Sequence, residues 1–132
     1  MKFLLDTHIF IWSLKDPDKL SDPITAALND EQNELWISPI SVWEMLLLAE
    51  RGRARLKTNH PGRWIRTVLA SLPIKEAPLT HEVAIRSREI RLSHQDPADR
   101  FIMATALIYD LKLITVDGKL IESQYHGTLF QG

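Results

Sequence analysis

Lys2-Phe3-Leu4-Leu5-Asp6 is a short apolar run closed by an acid, and a helical pattern from Ile9 to about Leu14 follows it directly. An unbroken apolar run of this length reads as a strand buried on both faces. The same unit recurs along the chain. Glu34 to Ile37 reads as a second strand; Ser38-Pro39 then starts a helix to about Glu50, stopped by Gly52. Ile74 to Ala77 is a third short strand, and Thr80 caps the helix Val83 to Arg91. Lys112 to Val116 is the fourth, closed by Asp117. Further helices run from the cap Ser21 to Leu28, from Pro61 to just before Pro73, and from Asp96-Pro97 to about Leu111. Thr128 to Phe130 is expected as an edge strand. Strands alternating with helices predict an α/β fold, a three-layer sandwich whose mostly parallel central sheet is flanked by helices.

The chain has 132 residues, the size of one domain, so residues 1–132 are read as a single unit with its own core. It contains no cysteine, which removes disulfides, zinc–thiolate sites and cysteine nucleophiles together. No apolar run approaches the roughly 18 residues of a membrane span, and the N-terminus turns acidic too soon to act as a signal peptide. A cytoplasmic setting is therefore expected. The formal net charge of −1 gives no global attraction to nucleic acid.

The informative acids are those set against apolar runs: Asp6 and Asp117 at strand ends, Glu44 inside Val42-Trp43-Glu44-Met45-Leu46-Leu47-Leu48, and Asp99 in Asp96-Pro97-Ala98-Asp99-Arg100. A buried, unpartnered carboxylate costs several kcal/mol or takes up a proton. A captured hard cation relieves that cost, and a set of oxygen ligands suits Mg²⁺ or Mn²⁺. In open α/β sheets, ligands bind outside the carboxyl ends of the strands, where Asp6 and Asp117 fall. Glu44 and Asp99 lie on inward helical stripes that can reach the same rim. Taken singly, each acid has an ordinary explanation. Asp6 and Asp96 are helix caps, Asp117-Gly118 is a turn dipeptide, Asp99 complements a helix dipole, and Glu44 pairs with an arginine. Their joint placement is more specific than any one of them.

Four stretches carry a family resemblance: Leu4-Leu5-Asp6-Thr7-His8; Ile37-Ser38-Pro39-Ile40-Ser41-Val42-Trp43-Glu44; His94-Gln95-Asp96-Pro97-Ala98-Asp99-Arg100-Phe101-Ile102-Met103-Ala104-Thr105-Ala106; and Leu113-Ile114-Thr115-Val116-Asp117. In this order they resemble the PIN domain, and within it the VapC-type toxin ribonucleases of bacterial toxin–antitoxin pairs. The resemblance spans almost the whole chain, with no departure at an acidic position. It implies a parallel sheet between helices, Mg²⁺- or Mn²⁺-dependent endoribonuclease activity, a homodimer, and a cognate antitoxin.

On that reading Asp6, Glu44 and Asp99 hold the principal ion, and Asp117 holds it through water or supports a second ion. Asp96 shapes its helix start and acts on the metal only indirectly. Thr7 and Thr115 are candidate donors to a carboxylate or a ligand water, and His8 and His94 candidate proton carriers. Cations must offset the acids' repulsion of RNA. The candidates are Arg51, Arg53, Arg55 and Lys57; Arg86, Arg88 and Arg91; and Arg100 beside the acids, facing a carboxylate or phosphate. Trp12, Trp36, Trp43 and Trp64 are candidate base-stacking residues whose ordinary role is packing. Two rival classes fit less well. A phosphoacceptor domain wants paired acids after the first strand, where Asp6-Thr7-His8 offers one. A metal-free interaction module has no use for the acidic set.

Overall fold

The structure is a computed structural model that describes residues 1–54, 56–93 and 95–132; the expectations for Arg55 and His94 lie outside the described residues. Four strands, β1 (Lys2–Leu5), β2 (Glu34–Ile37), β3 (Ile74–Glu76) and β4 (Lys112–Ile114), pair in parallel in the order β3-β2-β1-β4. The helices are α1 (Thr7–Lys15), α2 (Asp22–Asn29), α3 (Pro39–Glu50), α4 (Pro61–Ser71), α5 (His81–Glu89), α6 (Pro97–Ile108) and α7 (Gly118–Ile121). Ser21, Ser38, Thr80 and Asp96 each cap a helix with the side chain, as expected from residues that favour that position.

Alternation along the strands divides the core into two layers. Phe3, Leu5, Ile37 and Ile114 face one side, packed on Ile9, Phe10 and Ile11 of α1, Ile24 of α2, Met45 of α3 and Ile65 of α4. Leu4 and Leu113 face the other, against Ile102, Met103 and Ala106 of α6 and Leu120 of α7. Each of the larger of these side chains contributes about 1.5–3 kcal/mol on burial, and the sheet is covered on both faces, hence the three layers. No helix among the described residues is long and apolar enough to cross a membrane.

The strand order positions the site. β1 lies between β2 and β4, so successive connections leave it in opposite directions and open a crevice outside its carboxyl end. The Asp6 N–H donates to Ile114 O at 3.0 Å, tying the ends of β1 and β4 together there.

The structure departs from expectation near the C-terminus. α6 stops at Ile108, because Asp110 turns left-handed (φ 53°) and delivers buried Leu111 to the core before β4. β4 ends at Ile114 rather than Val116, since Thr115 is drawn into side-chain bonding and Val116 is left 44% exposed. Asp117-Gly118 is no simple turn: the Asp117 carboxylate caps α7, accepting from the Lys119 and Leu120 N–H groups. The expected edge strand from Thr128 to Phe130 reduces to one bridge between Leu113 and Leu129, because Thr128 closes a 3₁₀ turn.

Candidate active site

Asp6 is held at the centre of the crevice, 8% exposed. Its Oδ1 accepts from the Thr7 N–H at 2.8 Å and its Oδ2 from the Thr115 hydroxyl at 2.6 Å. Thr115 in turn accepts from the Asp117 N–H at 3.0 Å, so one threonine links the carboxylate between β1 and α1 to the start of α7. The Thr7 hydroxyl lies 2.5 Å from Glu44 Oε1 and 2.9 Å from Ser41 Oγ. A hydroxyl has a single proton, which the shorter contact directs to Glu44; Ser41 is then the donor to Thr7. Asp96 Oδ1 accepts from the Ala98 and Asp99 N–H groups at 3.0 and 3.5 Å, setting Asp99 in the first turn of α6.

The acids act on one another. Burial raises Asp6 above the ordinary carboxylate range, opposed by its bonds to Thr115 and Thr7, with Asp117 adding to the rise. Burial also raises Glu44, opposed by Thr7 and reinforced by the charges of Asp6 and Asp96. Asp99 is pushed from 3.8 to about 8 by burial first, then by Asp117, Asp96 and Asp6, and by a hydrogen bond to Asp117. Each of the five carboxylates therefore shares the field of at least one other, and His8 adds an opposing charge near Asp6 and Glu44. Surplus negative charge in a partly dry crevice is the environment a hard divalent cation stabilises.

The sequence profile of the PIN domain matches residues 3–123. The chain belongs to the PIN domain family. This PIN domain is 31% identical over 118 residues to Ribonuclease VapC22 of Mycobacterium tuberculosis, covering 89% of this chain and 88% of that protein. Its fold is similar to a toxin–antitoxin complex chain from Klebsiella pneumoniae, with a TM-score of 0.66 at 23% identity over 98% of this chain and 96% of that one. It is also similar to VapBC2 from Rickettsia felis bound to a promoter DNA fragment, with a TM-score of 0.64 at 18% identity over 98% and 96% of the two chains.

Among the described residues no three histidine or acidic side chains are grouped as direct ligands of one ion. The PIN domain's acids thus form a shared field, not a closed cage. Mg²⁺ fits such a set, since it keeps several waters and takes only one or two carboxylates directly.

The remaining candidates separate. Arg100 is buried: its Nε donates to Ser87 O at 2.8 Å, Nη2 to Ile90 O at 2.8 Å and Nη1 to Leu92 O at 3.4 Å. A guanidinium committed to these carbonyls clasps the end of α5 and is not presented to phosphate, which corrects the expectation for it. Arg51, Arg53, Lys57, Arg86, Arg88 and Arg91 are all exposed. Arg51 follows Glu44 by seven residues and stands at the C-cap of α3. Trp12, Trp36 and Trp64 are partly buried against the core, whereas Trp43 is 53% exposed. Trp43 lines a cleft of ≈ 630 Å³ with Ile40, Leu79 and Phe101, and Glu44 and Asp96 stand on its wall. His8 is exposed, its ring edge-on to Trp12 at 6.0 Å.

Ser41 is the residue that reading the sequence undervalued. It is fully buried on α3 and bonds Thr7. Its spacing three residues before Glu44, on one helical face, is the signal that would have found it.

Proposed function

We propose that this PIN domain is an endoribonuclease toxin that hydrolyses phosphodiester bonds in RNA with Mg²⁺ or Mn²⁺ and is neutralised by a cognate antitoxin. The observation that carries the reading is that Asp6, Glu44, Asp96, Asp99 and Asp117, far apart in sequence, lie within reach of one another's charge. The similarity to Ribonuclease VapC22 supports the choice of RNA, and that to a toxin–antitoxin complex supports the antitoxin. We extend the proposal to a homodimer acting in the cytoplasm, as the resemblance to VapC-type toxins implies.

Asp6, Glu44 and Asp99 would hold the principal ion, one or two of them directly and the rest through its waters, with Asp117 acting through water or at a second ion. A bound divalent ion supplies a water of lowered pKa and charge relief at the attacking and leaving oxygens. The protein's own part is orientation. Thr115 and the Thr7 N–H fix both oxygens of Asp6, and Thr7 with Ser41 fixes Glu44. Asp96 and Asp117 spend one oxygen each as helix caps, which aims their second oxygens while anchoring α6 and α7. Asp99 must shed its proton for the ion to bind, because burial and its acidic neighbours hold it protonated near neutrality.

The test is incubation of purified protein with RNA, with and without Mg²⁺ or Mn²⁺. Cleavage lost in EDTA and lost in Asp6→Asn supports the reading. Acid-labile phosphorylation of Asp6 would instead support a phosphoacceptor domain. Silence with every metal, together with tight partner binding, would support an interaction module.

A further inference from the structure

Beyond α5 the burial alternates: Ile90 and Leu92 are buried, Arg91 and Ser93 exposed. Arg100 holds this segment from beneath through the carbonyls of Ile90 and Leu92, so the exposed pair must face outward. The Arg91 N–H donates to the Tyr125 hydroxyl at 2.8 Å, which joins the segment to the stretch after α7. Between them lies a cleft of ≈ 270 Å³ lined by Arg91, Ser93, Lys119, Glu122, Ser123 and Gln124. Its two cations outnumber its one acid, and the hydroxyl and amide groups can donate hydrogen bonds to an anion. Among the described residues, no ion pair involves Arg91 or Lys119. One lining residue is joined to the acidic set through its backbone: the Lys119 N–H donates to Asp117 Oδ1 at 2.8 Å.

We propose that this cleft is a phosphate subsite: Arg91 and Lys119 take a non-scissile phosphate of the RNA strand next to the one at the acidic crevice. The inference rests on the ribonuclease reading and adds a direction to it. RNA crossing the crevice meets repulsion from five acids, and a cationic cleft on one flank offsets that repulsion only for a strand running toward α7. Arg91 is set on backbone pinned by Arg100 and Tyr125, and Lys119 on the capped start of α7, so only the two side chains must be ordered when phosphate binds. A single phosphate held by Arg91 and Lys119 fixes register and carries no sequence choice. Arg91 and Lys119 are thus positioning residues.

The experiment measures binding of a single-stranded RNA oligonucleotide by fluorescence anisotropy over a salt series in Ca²⁺ or EDTA, followed by cleavage kinetics in Mg²⁺. It compares wild type, Arg91→Gln with Lys119→Gln, and Lys75→Gln, which alters a cation paired with Glu34 away from the cleft. Each phosphate contact on a single strand contributes about 0.7 to the slope of log affinity against log salt. The double variant is expected to lose up to about 1.4 in slope and to raise KM with kcat unchanged, the pattern of lost uniform binding. Lys75→Gln is expected to match wild type. Its metal-induced rise in Tm should persist in the double variant, showing the acids intact. Wild type that binds RNA while the double variant keeps its slope and KM overturns the cleft alone. Wild type that neither binds nor cleaves RNA overturns the cleft and the ribonuclease reading together.

Discussion

Thr115 Oγ1 donates to Asp6 Oδ2 at 2.6 Å across 109 residues of sequence. The bond joins the residues that follow the paired strands β1 and β4, and it fixes a carboxylate that feels the charge of the other acids. Replacing the hydroxyl with a methyl of similar shape isolates its contribution. Thr115→Val should leave the fold intact, cost about 1–3 kcal/mol for a buried acceptor left short of a donor, and raise Asp6 further. Urea unfolding and Mg²⁺ titration of the variant check this. Wild-type stability with wild-type metal affinity would show that the bond does not hold Asp6 in place.

Asp99 makes stability depend on pH. Its folded value of about 8 lies above the ordinary 3.8, so between about pH 4 and pH 8 the folded chain keeps a proton that the unfolded chain has lost. Stability contributed by that proton is full at the acidic end of this window and falls as pH rises through it. Asp99→Asn, which is neutral at all pH values, should flatten the fall and raise Tm at pH 8 without metal, while abolishing cleavage. Thermal scans of both proteins from pH 5 to pH 8.5 test it. Parallel curves would place Asp99 outside the charged cluster.

Much of this arrangement was legible in the sequence because local physics agrees with the fold. Apolar runs too short for helices marked β1 and β2 to the residue, and Ser38-Pro39 and Asp96-Pro97 marked helix starts through cap chemistry. Acids set against apolar runs marked residues whose charges act on one another in the structure. What was not legible depends on long-range partners. Arg100 stands beside the acids in sequence, yet carbonyls at the end of α5 capture its side chain. Val116 continues an apolar run, yet Thr115 ends the strand by bonding Asp6 and Asp117. No local pattern encodes either partner. Asp117-Gly118 has turn chemistry, and only the packing of buried Leu120 turns it into a short helix.

The clasp by Arg100 predicts a stability effect separate from RNA binding. Arg100→Met removes the donors to Ser87, Ile90 and Leu92 and leaves buried carbonyls unpaired. A loss of about 3 kcal/mol follows, roughly 10 °C in Tm for a domain of this size. Arg100→Lys should recover little of it, because a point ammonium cannot bridge three carbonyls that a planar fork reaches. Differential scanning calorimetry measures the loss. A stable Arg100→Met protein with weakened RNA binding would return Arg100 to the phosphate-binding set.

Asp117 and Asp96 allow the metal's share to be separated from the fold's. Each caps a helix with one oxygen, and asparagine caps as well as aspartate. Asp117→Asn and Asp96→Asn therefore keep α7 and α6 while removing one charge each. Wild-type protein should gain stability with Mg²⁺ or Mn²⁺, by about 2.7 kcal/mol at a hundred times the dissociation constant, because the ion binds the folded chain. Asp6→Asn and Glu44→Gln should abolish that gain. Asp117→Asn should reduce it, and Asp96→Asn should reduce it least if Asp96 has the indirect role proposed for it. Thermal shifts over a metal titration give the ranking. An unchanged response in Asp6→Asn would remove the centre of the proposed site, and no shift in the wild type at millimolar metal would remove the ion itself.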